Sequence, residues 1–195
     1  MKEQMRIELH NETEYTERIS FQDIWTHASK LKHVGCRVAA ITDRNSVDGI
    51  HMAEYEFMRR GIQPIYGVTL NCIDIDDRYD MVLLAANLTG RDNIFRLIEL
   101  LENNRFSFGH AITREQLDAH RKGILLGAAA KNGQIVRAIL HRRDQRYLET
   151  ITQDYDYLEF TSEPYDIAAT VVQLAAQGNL PLCAVQYAVL NEPSV

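Results

Sequence analysis

The feature that most constrains this chain is a hydrophobic pattern that keeps changing period. Residues 37–42 (Arg37-Val38-Ala39-Ala40-Ile41-Thr42) and 81–86 (Met81-Val82-Leu83-Leu84-Ala85-Ala86) are short, nearly continuous apolar runs, the pattern of strands buried on both faces. Between such runs the apolar residues fall three and four apart. In residues 22–34, Ile24, Trp25, Ala28 and Leu31 share one helical face, and Gly35 follows where a terminating glycine is expected. The same reading predicts strands at 6–10, 63–67, 70–75, 124–127, 155–160 and 180–185. It predicts helices at 48–60, 89–102, 113–120, 133–141, 144–152 and 165–177. About seven strands, most followed by a helix, are most economically arranged as parallel βα units, in a nearly closed barrel or an open doubly wound sheet.

The chain has 195 residues, 46% hydrophobic and 25% charged, which suits one α/β domain with a sizeable core. No apolar run approaches the ~18 residues of a membrane span. Met1 to Arg6 leads into a strand pattern without a signal-peptide core. A net charge of −6 disfavours an electrostatic grip on phosphate backbone, so neither direct nucleic-acid binding nor membrane association is expected. Cys36, Cys72 and Cys183 are odd in number and far apart. They build neither a disulfide framework nor a CxxC zinc site, and reduced thiols in a cytoplasmic protein are expected.

In folds of this kind ligands gather beyond the C-terminal ends of the strands. The residues there are His10-Asn11-Glu12, Asp43-Arg44-Asn45, Thr69, Ala128-Ala129-Ala130, Glu159 and Gln186-Tyr187. His10 and Glu12 are two apart on a strand and face the same way. With Asp80 and Glu159 they suit either a weak mononuclear metal site or a hydrogen-bonded polar cluster, and the cluster is favoured. His27, His33 and His51 sit in predicted helices at no metal-binding spacing and read as solvated or capping. Ser20, three residues before Asp23, reads as a helix-start capping pattern. Arg137, Arg142, Arg143 and Arg146 with His141 form the densest basic stretch and read as an exposed helix end and loop. Thr89-Gly90 and Asn132-Gly133 read as turns. No GxSxG nucleophile pattern occurs.

Residues Glu8 to Tyr15, Ala40 to Arg44, Gly61 to Gly67, Leu83 to Gly90, Gly123 to Ala130 and Leu180 to Ala184 together resemble the polymerase-and-histidinol-phosphatase (PHP) domains of bacterial DNA polymerase III α subunits. Glu8-Leu9-His10-Asn11-Glu12-Thr13-Glu14-Tyr15 resembles their opening HxHS/T-x-Y motif, Ala40-Ile41-Thr42-Asp43-Arg44 their AITDH, and Gly61-Ile62-Gln63-Pro64-Ile65-Tyr66-Gly67 their GIKPIxG-x-E. Leu83 to Gly90 is similar to LLAxNxTG, Gly123 to Ala130 to GLLLGSAC, and Leu180 to Ala184 to xPVVAT. The matches keep their order over almost the whole chain.

The resemblance implies a single-domain, distorted seven-stranded (β/α)7 barrel over residues 1–195. In active members it also implies a trinuclear metal site for phosphoester hydrolysis. Only Asp76-Asp77-Arg78 fills the position where one polymerase type carries an inserted exonuclease, so no insertion is expected. Of the metal-binding positions, His10 alone keeps its type. Glu12 and Arg44 stand where histidines are expected, and residues near Glu17-Arg18 where an aspartate is. Thr69 replaces a glutamate, Asp80 a histidine, Ala130 a cysteine, and Tyr187 and Val189 the terminal D-x-H pair. A positive charge at ~4 Å repels a dication by roughly 8 kcal/mol at an effective dielectric near 20. Arg44 is therefore expected to pair with Glu12 or Asp80 in place of metal.

The expectation is a non-catalytic PHP domain without cofactor, serving DNA replication as a structural or protein-interaction module. Its partner would be the polymerase core or a proofreading exonuclease. The alternative is a divergent Zn- or Mn-dependent phosphoesterase using His10, Glu12, Asp43, Asp80 and Glu159.

Overall fold

A computed structural model describes residues 6–16, 23–74, 77–104 and 109–186. Arg6–Glu8 forms β1, Ile24–His33 α1, Cys36–Ile41 β2, Ile50–Met58 α2 and Gln63–Ile73 β3. Arg78–Ala85 forms β4, Leu88–Asn103 α3, Ile112–Thr113 β5, Arg114–Ala119 α4 and Ile124–Ala128 β6. The chain continues through α5 (Gln134–Leu140), α6 (Gln145–Thr152), β7 (Tyr157–Phe160), α7 (Tyr165–Gly178) and β8 (Leu182–Ala184). Strands follow the path β1-β2-β3-β4-β6-β7-β8, with β5 beside β3. The sheet curls into a half-barrel with the helices packed against it.

The main departure from an all-parallel arrangement is β4, which is antiparallel to both β3 and β6. Residues 74–77 alone join β3 to β4, and so short a link permits only a hairpin, whereas a parallel crossover needs a dozen residues or more. Periodicity carries no strand direction, but the length of this connection does. The expected strands 63–67 and 70–75 are one strand, because Gly67 is a point of close approach. A Cβ there would lie 2.8 Å from Leu84 Cδ2 and 2.9 Å from the Leu83 carbonyl oxygen.

Alternation along the strands sorts the core into an inside and an outside. Val82 and Leu84 of β4 face inward with Ala40, Ala129 and Tyr157, so a few side chains fill the barrel interior. Met81 and Leu83 face outward and join Leu70, Leu97, Leu126, Leu158 and Leu174 in the largest cluster, beneath the helices. Ile24, Ala28 and Leu31 of α1 and Phe57 of α2 cover β2 in a second cluster. Each such fully buried side chain contributes roughly 1.5–3 kcal/mol.

Helix starts follow local capping chemistry. The N-cap of α1 is Asp23, which accepts hydrogen bonds from Thr26 N at 2.8 Å and Thr26 Oγ1 at 2.7 Å. Ser20 lies outside the described residues. Thr113 and Gln116 make a reciprocal capping box on α4. Gly90 is not a turn residue but lies in the first turn of α3, packed against the Gly123 carbonyl. Among the described residues no helix is long and apolar enough to cross a membrane.

Candidate functional site

Because β4 runs backwards, its first residues lie at the same end of the sheet as the last residues of β2 and β3. In the β3–β4 register Thr69 lies opposite Val82 and Asn71 opposite Asp80. Residues facing each other across a pair of strands share a sheet face, so Thr69, Asn71 and Asp80 point inward with Val82. Arg44, just past β2, bridges to Thr69. His10 and Glu12 arrive from the end of β1, and Glu159 from β7. This convergence builds a polar mouth above the apolar interior.

Arg44 and Asp80 form a bidentate ion pair there. Arg44 Nη2 donates to Asp80 Oδ1 at 2.8 Å, and Nη1 donates to Oδ2. The Asp80 side chain is only 3% exposed and that of Arg44 23%. Asn71 Nδ2 adds a further donor to Asp80 Oδ1. Burial pushes the Asp80 carboxyl above its ordinary value, opposed by the adjoining Arg44 charge. Fork-to-fork geometry of this kind is the strongest arrangement available to a guanidinium and a carboxylate.

His10 sits between two carboxylates. Its Nδ1 lies 3.1 and 3.0 Å from the two Glu159 oxygens, and its Nε2 lies 3.7 Å from Glu12 Oε1. Burial alone would lower the imidazole pKa, but the neighbouring Glu159 and Glu12 charges reverse this and bring it to about 9. His10 is therefore a cation at neutral pH. Glu159 also accepts from the Ala130 amide at 3.4 Å.

Asp43 pairs with no cation among the described residues. It accepts from the Thr13 amide, from Thr13 Oγ1 at 2.8 Å and from Thr16 Oγ1 at 2.8 Å. Burial raises its pKa against these bonds. Asn11 fixes the exit of β1 by donating to the Ala40 carbonyl at 2.8 Å, and its Oδ1 lies 3.0 Å from His27 Nε2. His27 is thus neither solvated nor a cap. Burial lowers its pKa to about 4, aided by the Lys30 charge. The Thr69 hydroxyl is buried without a hydrogen-bond partner among the described residues.

The structure therefore brings together His10, Glu12 and Glu159 in one group and Arg44, Thr69 and Asp80 in another, with Asp43 locked to Thr13 and Thr16. Ala130 contributes only its amide. Tyr187, Val189, Glu17 and Arg18 lie outside the described residues. Among the described residues, no group of three or more His, Cys, Asp or Glu side chains is arranged to hold a metal ion. Thr13, Thr16 and Asn71 were not singled out from sequence, and Asn11 was placed at the strand end without a role. Asn71 was detectable, since it stands two residues beyond Thr69 on one strand and must share its face. Arg142, Arg143 and Arg146 are exposed as expected, whereas Arg137 is tied to Asp77 at 2.5 Å.

The family model described as the PHP domain matches residues 8–163. The chain belongs to the PHP domain family. The PHP region of polymerases is where its sequence relatives lie. It is 28% identical over 175 residues to the DNA polymerase III subunit alpha of Rickettsia bellii, covering 82% of this chain and 15% of that protein. It is 36% identical over 81 residues to the PolC-type DNA polymerase III of Bacillus subtilis, covering 42% of this chain and 6% of that protein. The chain thus corresponds to a small part of each polymerase.

Solved PHP-like structures share the fold at low identity. A Bifidobacterium adolescentis protein named as a metal-dependent phosphoesterase superposes with a TM-score of 0.62 at 13% identity, over 92% of this chain and 86% of that one. An amidohydrolase from Chromobacterium violaceum, crystallised with bound sulfate and no metal, gives 0.63 at 12% identity, over 90% and 84%. The PHP barrel expected from the motifs is therefore present, as a half-barrel of mixed rather than parallel strands.

Proposed function

We propose that this PHP domain is non-catalytic and serves the replicative DNA polymerase in the cytoplasm as a structural and protein-interaction module, as one domain without an inserted nuclease. The observation that carries this reading is the bidentate Arg44–Asp80 pair in the mouth. Metal catalysis needs about three oriented protein ligands and an open position. The donor set does not fit a multinuclear cluster. Asp80 is engaged by Arg44 and Asn71, Asp43 by two threonines, and position 130 offers no side-chain donor. The kinship with polymerase III subunits supports a place in DNA replication, with the polymerase core or a proofreading exonuclease as the partner.

A second reading, a divergent Zn- or Mn-dependent phosphoesterase, draws on the His10–Glu12–Glu159 group. The two are separated by elemental analysis of the purified chain and by phosphate release from p-nitrophenyl phosphate with added Mn²⁺ or Zn²⁺. The proposal expects no metal-dependent turnover and no metal-induced rise in Tm, because nothing binds the native state preferentially. Two or more retained transition-metal atoms per chain, or release abolished by His10→Ala, would overturn it.

A further inference from the structure

We infer that the cleft between α6 and α7 receives the arginine side chain of a partner protein. This deepens the reading of the chain as an interaction module and rests on it. The cleft has a volume of about 380 Å³, and its walls include Glu149 and Thr152 of α6, Leu174, Gln177 and Gly178 of α7, and Leu180 just beyond. That is the size of a small ligand pocket. α6 leads into β7 and α7 into β8, and β6, β7 and β8 run parallel, so both helices end where those strands begin. The cleft therefore lies at the opposite end of the sheet from the Arg44–Asp80 mouth.

Its chemistry is one-sided. No Lys, Arg or His lines it, and neither helix carries a basic residue in its last turn. The partial negative charge at both helix ends is thus left uncompensated there. Glu149 adds a full negative charge, and its hydrogen-bond donor among the described residues is the neutral Gln145. Below this rim the wall is apolar: Leu174 is 1% exposed, and Leu180 packs against the main core. Gln145 shows which donor geometry suits the rim. Its Nε2 donates to Glu149 Oε1 at 3.0 Å and to Gln177 Oε1 at 3.2 Å, so one planar nitrogen joins acceptors from both helices. Arginine presents such planar nitrogens with a full charge and more donors, and its hydrocarbon stem matches the leucine wall. A lysine ammonium lacks the planar fork. Free arginine adds a charged ammonium and carboxylate that must stay hydrated. Within a polypeptide these become neutral amides, for which the Gln153 and Gln177 carboxamides of the cleft offer partners. Complementarity of charge and shape therefore selects an arginine carried by a protein.

The isotope-labelled complete chain is titrated with N-acetyl-arginine N-methylamide and followed by NMR at the Thr152 and Gly178 amides. Parallel titrations use the citrulline analogue, which keeps the shape without the charge, the lysine analogue, and free arginine. The expected result is saturable shifts of these amides with the arginine probe and weaker binding of the other three. Glu149→Gln, at an exposed position, weakens the arginine probe by about tenfold. Gly178→Ala narrows the cleft without changing its charge and weakens binding too, since the new Cβ would lie 3.4 Å from Leu180 Cγ and 3.9 Å from Thr152 Cγ2. No saturable shift, equal binding of the citrulline analogue, or unaltered binding by Glu149→Gln would each overturn the inference. Free arginine binding as tightly as the blocked probe would give the cleft to a small molecule, and self-association lost in Glu149→Gln would give it to a second copy; either overturns the partner assignment. Metal-stimulated phosphate release by the same preparation would remove the functional reading and leave the arginine-induced shifts standing, so the two fail separately.

Discussion

Arg44→Ala, studied with EDTA present, isolates the pair at the centre of the mouth. The substitution leaves the Asp80 carboxylate buried with the Asn71 and Asn132 side chains as its remaining donors. Breaking a fully buried ion pair from one side costs about 3–5 kcal/mol. Arg44 is 23% exposed, so water reaches part of the pair, and the lower end, about 3 kcal/mol, is expected. For a chain of this size each kcal/mol moves Tm by about 2–4 °C, so the melt should fall by roughly 6–12 °C. Burial already raises the Asp80 pKa, and removing the opposing cation raises it further. A group with a raised folded pKa adds stability at low pH and loses it as pH rises through that value. The deficit of the variant therefore shrinks toward acid. Adding Asp80→Asn to Arg44→Ala should restore most of the loss at neutral pH. Urea unfolding checks both variants. A deficit under about 1 kcal/mol, or a double variant no more stable than the single one, would refute the reasoning.

Two further perturbations test other links. His10 has a folded pKa of about 9 against 6.5 when free, a difference worth roughly 3 kcal/mol. That stability is fully present below pH 6.5 and is lost as pH rises through 9; His10→Asn should flatten the urea-denaturation profile across this window, and parallel profiles would contradict the charged-imidazole account. Gly90→Ala should destabilise by about 1–3 kcal/mol, because the new Cβ would lie 1.8 Å from the Gly123 carbonyl oxygen. Helix propensity alone predicts the opposite sign, by about 1 kcal/mol, so a raised Tm in thermal melts monitored by circular dichroism would show that the backbone can part.

Much of the fold was legible because burial leaves a period in the chain. The inward Val82 and Leu84 and the outward Met81 and Leu83 all had to be apolar, so β4 was evident as a buried strand. Its direction was not written in that run, and only the brevity of residues 74–77 encodes it. The pairing of Arg44 with Asp80 rather than Glu12 depended on the same reversal, since the register opposite Asn71 carries Asp80 to the mouth. His27 escaped because helical periodicity distinguishes faces, not the chance that a polar side chain finds a partner such as Asn11 on a neighbouring strand end. The roles of Thr13 and Thr16 were equally hidden. Their contact with Asp43 joins residues 27 and 30 positions apart, and no local spacing records that.

The β3–β4 hairpin has a geometric consequence of its own. β2 pairs with β3 only as far as Tyr66, and β6 with β4 only from Met81 onward, so Leu70–Ile73 and Arg78–Asp80 extend past both neighbours, with β5 lying along the end of β3. Asp80 stands at the inner end of this extension, and residues 74–77 are the link between its two strands. Lengthening a surface tip by several residues adds only a few tenths of a kcal/mol to loop closure for each modest increment. Extra chain accommodated in this link would leave the β3–β4 register, and with it the placing of Asp80 beside Arg44, unchanged, so evolution or an engineer could add residues here without rebuilding the barrel.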